Sequence, residues 1–264
     1  MSDQFNRIRP VALPVEHGGW GFLLEPIVLA LLVAPSWAGL LLGCAAFLLF
    51  LARHPLRLAL RDRRSGRRFA RTALAERFAA GYVLGTGAAF AWALMISAES
   101  FWPPLIVGGG LALVQLFYDV RGEGRAALAE IAGALALGAS APAIALAGGW
   151  SAPDAWMLWA IVGLRAVTSI FYVRDRLRLE RDRPAQPALT LMLHLLALLF
   201  VGLRAAGSQM PWLAAAAFVL LLARAAYGLS AWRQPAQPKT IGWQEMLYGL
   251  LVVLLVAAGY RLML

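Results

Sequence analysis

Apolar residues run through this chain in long blocks separated by short polar gaps, and the blocks match the thickness of a bilayer. Stretches able to cross about 30 Å of hydrocarbon can be drawn over 18–34, 36–52, 77–97, 101–118, 129–147, 154–173, 188–204, 211–229 and 243–261. This pattern predicts an all-α, polytopic membrane helix bundle of about nine transmembrane helices, with residues 1–264 as one transmembrane domain and 1–17 as a short cytoplasmic amino-terminal segment. The polar gaps are not equivalent. Arg7 and Arg9, eight arginines from Arg53 to Arg71, then Arg77, Arg121 and Arg125, five from Arg174 to Arg183, and Arg233 with Lys239 all fall in alternate gaps. They make up twenty of the twenty-four basic residues. Basic residues collect on the cytoplasmic side of membrane proteins, so the amino end is expected inside and the carboxyl end outside.

Composition agrees with this reading. Hydrophobic residues make up 61% of the chain and the mean hydropathy is +0.69, values that exclude a soluble globular domain. The net charge of +10 lies between spans, where it sets orientation and contacts anionic headgroups; membrane lipids are expected as partners, and nucleic acid is not. The one cysteine, Cys44, cannot form an internal disulfide and is expected as a small packing residue in the second span. Gly81-x-x-x-Gly85 and the run Gly133 to Ser140 are expected to let helices approach closely. Trp37, Trp102, Trp150, Trp156, Trp212, Trp232 and Trp243 fall near span ends, where the amphipathic ring anchors at the headgroup boundary.

Two gaps have substance, both on the basic side. Arg53 to Arg68 is expected as a basic helix lying along the interface, and Arg174 to Arg183, with mixed charges, as a pairing helix ended by Pro184.

Ionisable groups inside spans cost at least about 2.5 to 3.5 kcal/mol each, so they require a partner, a wet cavity or a function. Glu25 shares a helical face with His17 and Gly21 by i, i+4, i+8 spacing. Arg165 opens a stripe continued by Thr168, Ser169 and Tyr172 at i+3, i+4 and i+7. His194 lies about two turns into the seventh span. Gln115, Tyr118 and Asp119 close the fourth, and Arg224 is expected to snorkel to the near surface. Nearly all fall in the cytoplasmic half. This one-sidedness predicts a cytoplasm-facing cavity where His17, Glu25, Arg165, Tyr172 and His194 converge; the alternative reading is structural, with Glu25 simply neutralising Arg165 and His194 making a helix–helix hydrogen bond.

The opening Pro14-Val15-Glu16-His17-Gly18-Gly19-Trp20-Gly21, followed by Glu25-Pro26, resembles the start of the YwiC-like family of bacterial integral membrane proteins. Arg165-Ala166-Val167-Thr168-Ser169-Ile170-Phe171-Tyr172-Val173-Arg174 also looks like that family, which implies no assigned activity. A more distant resemblance is to the UbiA superfamily of intramembrane prenyltransferases, with nine helices and cytoplasmic loops after helices two, four and six; Tyr118-x-x-Arg121 is similar to the segment after that family's fourth helix. That resemblance implies a UbiA-like bundle and an isoprenoid diphosphate held by magnesium on two aspartate-rich motifs. This chain departs from both motifs. The first position carries Arg53, His54, Arg57 and Arg61 with Asp62 alone as an acid, and the second keeps Asp175, Glu180 and Asp182 separated by arginines. A hard cation needs several oxygen ligands, so no metal site is expected and the cofactor is left unassigned. Arginines can grip a phosphate directly.

The leading functional expectation is therefore a protein handling an isoprenoid or lipid phosphate, with His17, Glu25, Arg53, His54, Arg57, Tyr118, Arg121, Arg165, Tyr172 and His194 as cavity residues. A transporter of a small anion or amphiphile, and a non-catalytic membrane assembly factor, are the other classes the sequence admits.

Overall fold

The computed structural model describes residues 10–13, 18–66, 69–97 and 99–263, and these form an all-helical bundle. The helices are α1 (Gly18–Val33), α2 (Trp37–Arg64), α3 (Ala70–Ile96), α4 (Trp102–Val120), α5 (Ala127–Gly138), α6 (Ser140–Ala147), α7 (Ala152–Leu179), α8 (Pro187–Ala206), α9 (Trp212–Leu229) and α10 (Pro238–Met263). Each predicted span corresponds to a helix, with α5 and α6 together forming the fifth. Eight of the spans are long and apolar enough to cross a membrane, and α1 is a shorter apolar helix. The chain is thus built as a multi-pass membrane protein.

Local chemistry sets the boundaries. Ser36 caps α2 by accepting the Gly39 amide at 2.9 Å, and Ser151 caps α7 through the Asp154 amide. Pro103, Pro153 and Pro187 sit in first turns, where a missing N–H costs nothing. The break between α5 and α6 falls where Pro142 cannot donate to the Gly138 carbonyl. Nearby, Trp159 donates to the Leu135 carbonyl at 3.2 Å and Ser140 to that of Leu137.

Two expectations about the polar gaps are corrected. From Arg53 to Arg64 there is no separate interfacial helix: α2 continues unbroken to Arg64, because its arginines and leucines are good helix formers and no left-handed residue intervenes before Gly66 at φ +66°, while Arg67 and Arg68 lie outside the described residues. The basic residues of its last turn complement the helix dipole. Likewise α7 runs straight on to Leu179 and ends five residues before Pro184. At 28 residues each, α2 and α7 exceed the roughly 20 needed to cross hydrocarbon and project beyond it at the basic end. Asp62 is buried there, accepting from Thr72 at 2.8 Å and pairing with Arg71, which clamps α2 to α3.

One apolar core joins α1, α2 and α6 to α10 through residues such as Leu23, Ile144, Leu158, Ile161, Phe218 and Val256. Small residues permit the approach: a Cβ at Gly39 would lie 2.9 Å from Ile144 Cγ2, and one at Gly108 would lie 2.7 Å from Ala139 Cβ. The α3 and α4 helices sit at the periphery with Leu84, Met95, Ile106 and Leu113 exposed, the lipid face expected of a span. A Cβ at Gly81 would meet nothing within 4 Å, so it belongs to that face, whereas one at Gly85 would lie 3.0 Å from Leu48 Cδ1, the close approach to α2 expected of the pair. Cys44 is also exposed and not a packing residue. Of the tryptophans at span ends, Trp37, Trp102, Trp212, Trp232 and Trp243 are exposed, as headgroup anchors require.

Candidate functional site

The helix ends that carry most of the arginines are tied together at one pole of the bundle. Arg53 Nη2 donates to Asp119 Oδ2 at 2.8 Å, and Arg57 pairs with the same oxygen, joining α2 to α4. Arg174 bridges from α7 to Glu130 at 2.8 Å and to the Arg125 carbonyl at 2.9 Å, holding the turn between α4 and α5. These residues surround a cavity of about 990 Å³. Phe22, Phe50, Leu137 and Ile170 form apolar wall, and Glu25, Arg165 and Glu245 line its inner part.

Behind that inner part lies a continuous chain of buried polar groups contributed by five helices. Arg165 of α7 is 3% exposed and donates through Nη2 to Glu25 Oε1 of α1 at 3.1 Å and to the Glu245 carbonyl of α10 at 3.0 Å. The Glu245 carboxylate accepts from Ser169 and from Arg224 of α9, and its Oε2 lies 3.7 Å from Arg165 Nη1. Arg224 also covers the Tyr172 ring, 3.9 Å from its centroid, a cation–π contact. It then donates through Nη2 to His194 Nε2 at 3.3 Å.

The partners of His194 fix its state. Nδ1 lies 2.7 Å from the Thr190 carbonyl, which can only accept, and Nε2 faces a guanidinium, which can only donate. The imidazole is therefore the neutral tautomer protonated on Nδ1. The chain ends where Thr190 Oγ1 donates to Asp175 at 2.6 Å.

The two glutamates and two arginines sum to zero charge, which suits a low-dielectric interior where any unpaired charge costs several kcal/mol. The fit is close. A Cβ at Gly249 would overlap the Glu25 carboxylate and lie 2.9 Å from Arg165 Nη2, so only glycine leaves room for this pair.

Of the residues singled out in the sequence, the structure brings Glu25, Arg53, Arg57 and Arg165 to the cavity wall. Tyr172 and His194 are buried behind it, joined through Arg224 and Glu245, so they do not share its space. His54 binds the Pro10 carbonyl at 2.9 Å and does not line the cavity. Tyr118 and Arg121 also lie outside it: the Tyr118 ring meets Phe117 edge to face, and Arg121 sits 4.0 Å over that Phe117 ring. His17 lies outside the described residues. Arg224 does not snorkel to the surface but is buried against Glu245. Glu245 itself, and Asp119 as the acid between Arg53 and Arg57, were not recognised in the sequence. Charge balance was the available signal, since Arg165 and Arg224 within spans require two acids and Glu25 supplies only one.

The donor sets do not fit a magnesium-bridged diphosphate. Asp175 is taken by Thr190, the Gln186 amide and Arg178, and Glu180 by Arg176 and the Ala236 amide. Among the described residues no three His, Cys, Asp or Glu side chains come together as metal ligands.

A model of the YwiC-like protein family matches residues 13–145, half of the chain. No curated protein and no solved structure matches.

Proposed function

The chain belongs to the YwiC-like family, and we propose that it handles an isoprenoid or lipid phosphate, taking the anionic head into the cavity at the basic end. The observation that carries this reading is the mouth of the cavity. Arg53 and Arg57 share a single carboxylate oxygen, which leaves one surplus positive charge and most of ten N–H donors for a phosphate. Arg125 at the same wall is offset by Glu123, so the surplus rests on Arg53 and Arg57. The apolar wall at Phe22, Phe50 and Leu137 suits the first units of a hydrocarbon tail. A UbiA-like arrangement of the bundle belongs to this proposal, without its metal.

The test is equilibrium binding of geranyl diphosphate to the purified protein with and without a chelator. Chelator-insensitive binding is expected. Binding abolished by the chelator assigns the head to a metal and rejects an arginine site. The buried chain from Glu25 to His194 favours a second reading, carriage of the same anion across the bilayer, and flux of the probe into proteoliposomes separates carriage from binding alone.

The orientation proposed for this function places the basic end in the cytoplasm, following the arginine distribution. Single cysteines at the exposed positions Ser65, Asp182 and Gln237, in a chain with Cys44 replaced, are expected to react with an impermeant reagent only from the cytoplasm. Those at Glu99, Gly149 and Gln209 are expected to react only from outside. Any exchange between the two groups refutes the orientation.

A further inference from the structure

The two buried glutamates are held very differently. Glu245 has both oxygens engaged, Oε1 by Arg224 and Oε2 by Ser169 with Arg165 at 3.7 Å. Glu25 has one cationic partner, Arg165 on Oε1 at 3.1 Å, and its side chain lines the cavity. Arg165 lines the same cavity while 3% exposed, and its Nε and Nη1 have no hydrogen-bond partner among the described residues. Those two nitrogens are sealed within the bundle, with Nη1 turned toward Glu245, so an anion arriving through the cavity competes with Glu25 for Nη2.

The charges then decide the consequence. Glu25, Glu245, Arg165 and Arg224 are neutral as a set, so an anionic head reaching Arg165 makes the cluster negative in a medium that screens little. The groups facing Glu25 from the helices packed against it are Arg165 on α7 and Glu245 on α10. The α2 helix adds Arg53 and Arg57, α5 adds Glu130 and α7 adds Arg174, paired with Glu130, along the cavity wall, while α6 carries no titratable side chain. Glu245 is held ionised between two guanidiniums. Glu25, with one shared partner, is the carboxylate that gives way.

We infer that Glu25 takes up a proton when an anionic head engages Arg165, so that anion binding and protonation of this one side chain are coupled. A protonated carboxyl releases its claim on Arg165 and becomes a donor to the anion in its own right. The coupling is reciprocal: the bound anion favours the protonated carboxyl as much as protonation favours the anion. Affinity falls as pH rises through the range where Glu25 titrates, by up to about tenfold per pH unit. This inference rests on the cavity being an anion site.

Calorimetric titration with geranyl diphosphate, repeated at one pH in two buffers of different ionisation enthalpy, counts protons taken up per ligand. Wild type is expected to take up about one proton more than Glu25→Gln. The ligand's own proton change is common to both and cancels, and the glutamine keeps an oxygen for Arg165. Equal uptake with binding retained overturns the coupling and leaves the anion site standing. Should Glu25→Gln fail to fold, wild type alone decides: after subtraction of the free diphosphate's own ionisation, a pH-independent affinity overturns the coupling. No binding by wild type in any buffer overturns the anion site itself and the coupling with it.

Discussion

Glu245→Ala is expected to destabilise the detergent-purified protein by about 3–5 kcal/mol, the cost of stranding buried charge when one member of an ion pair is removed. Its carboxylate lies between Arg165 and Arg224, with Ser169 donating to it as well. Truncation leaves two guanidiniums facing each other with only Glu25 to offset them. Replacing Arg224 and Glu245 together, by Met and Leu, is expected to recover much of that loss, because Arg165 and Glu25 then remain as a neutral pair. The double variant is thus predicted to be more stable than the single one, because it leaves no unpaired charge buried. Chemical or thermal unfolding of the three proteins beside Leu254→Ala, which changes an exposed lipid-facing side chain, measures this. Equal stability of Glu245→Ala and Leu254→Ala would show that the buried charge cluster does not hold the bundle together.

The largest functional effect is expected at the cavity mouth. Arg53→Glu combined with Arg57→Glu should weaken geranyl diphosphate binding by roughly a hundredfold or more. Each charge-assisted hydrogen bond contributes about 1.5–3 kcal/mol, and about 1.4 kcal/mol is a factor of ten. The reversed charges also join Asp119 in repelling the phosphate. Arg121→Glu is the matched control, since its guanidinium rests on Phe117 outside the cavity, and it should leave affinity nearly unchanged. A similar loss in both variants would point to a diffuse effect of surface charge on an anionic ligand and count against a built site.

The spans were legible because hydrocarbon thickness imposes a minimum apolar length that composition cannot disguise, and every predicted span is helical here. The Glu25–Arg165 pair was legible for a related reason: a charge inside a span needs a counterion, and these two share a depth. Other features were set by tertiary contact, which a linear pattern does not carry. Glu245 lies seven residues into α10 and reads as a boundary residue until α10 is known to begin at Pro238. Asp119 looked like the close of a span, but its partners sit more than sixty residues earlier on α2. Tyr172 was correctly placed on the buried stripe of α7, yet only the packing of α9 makes it a platform for Arg224. Arginine-rich gaps suggest surface segments, whereas helix propensity simply carried α2 and α7 onward beyond the hydrocarbon.

The most direct measurement of an anion-handling cavity is a density map of the protein in lipid nanodiscs with geranyl diphosphate and chelator present. The predicted result is a diphosphate within hydrogen-bond distance of Arg53 or Arg57, its tail lying toward Phe22 and Phe50. A head group bound instead beside Asp175 and Glu180, or on the lipid-exposed faces of α3 and α4 with the cavity mouth untouched, would contradict it.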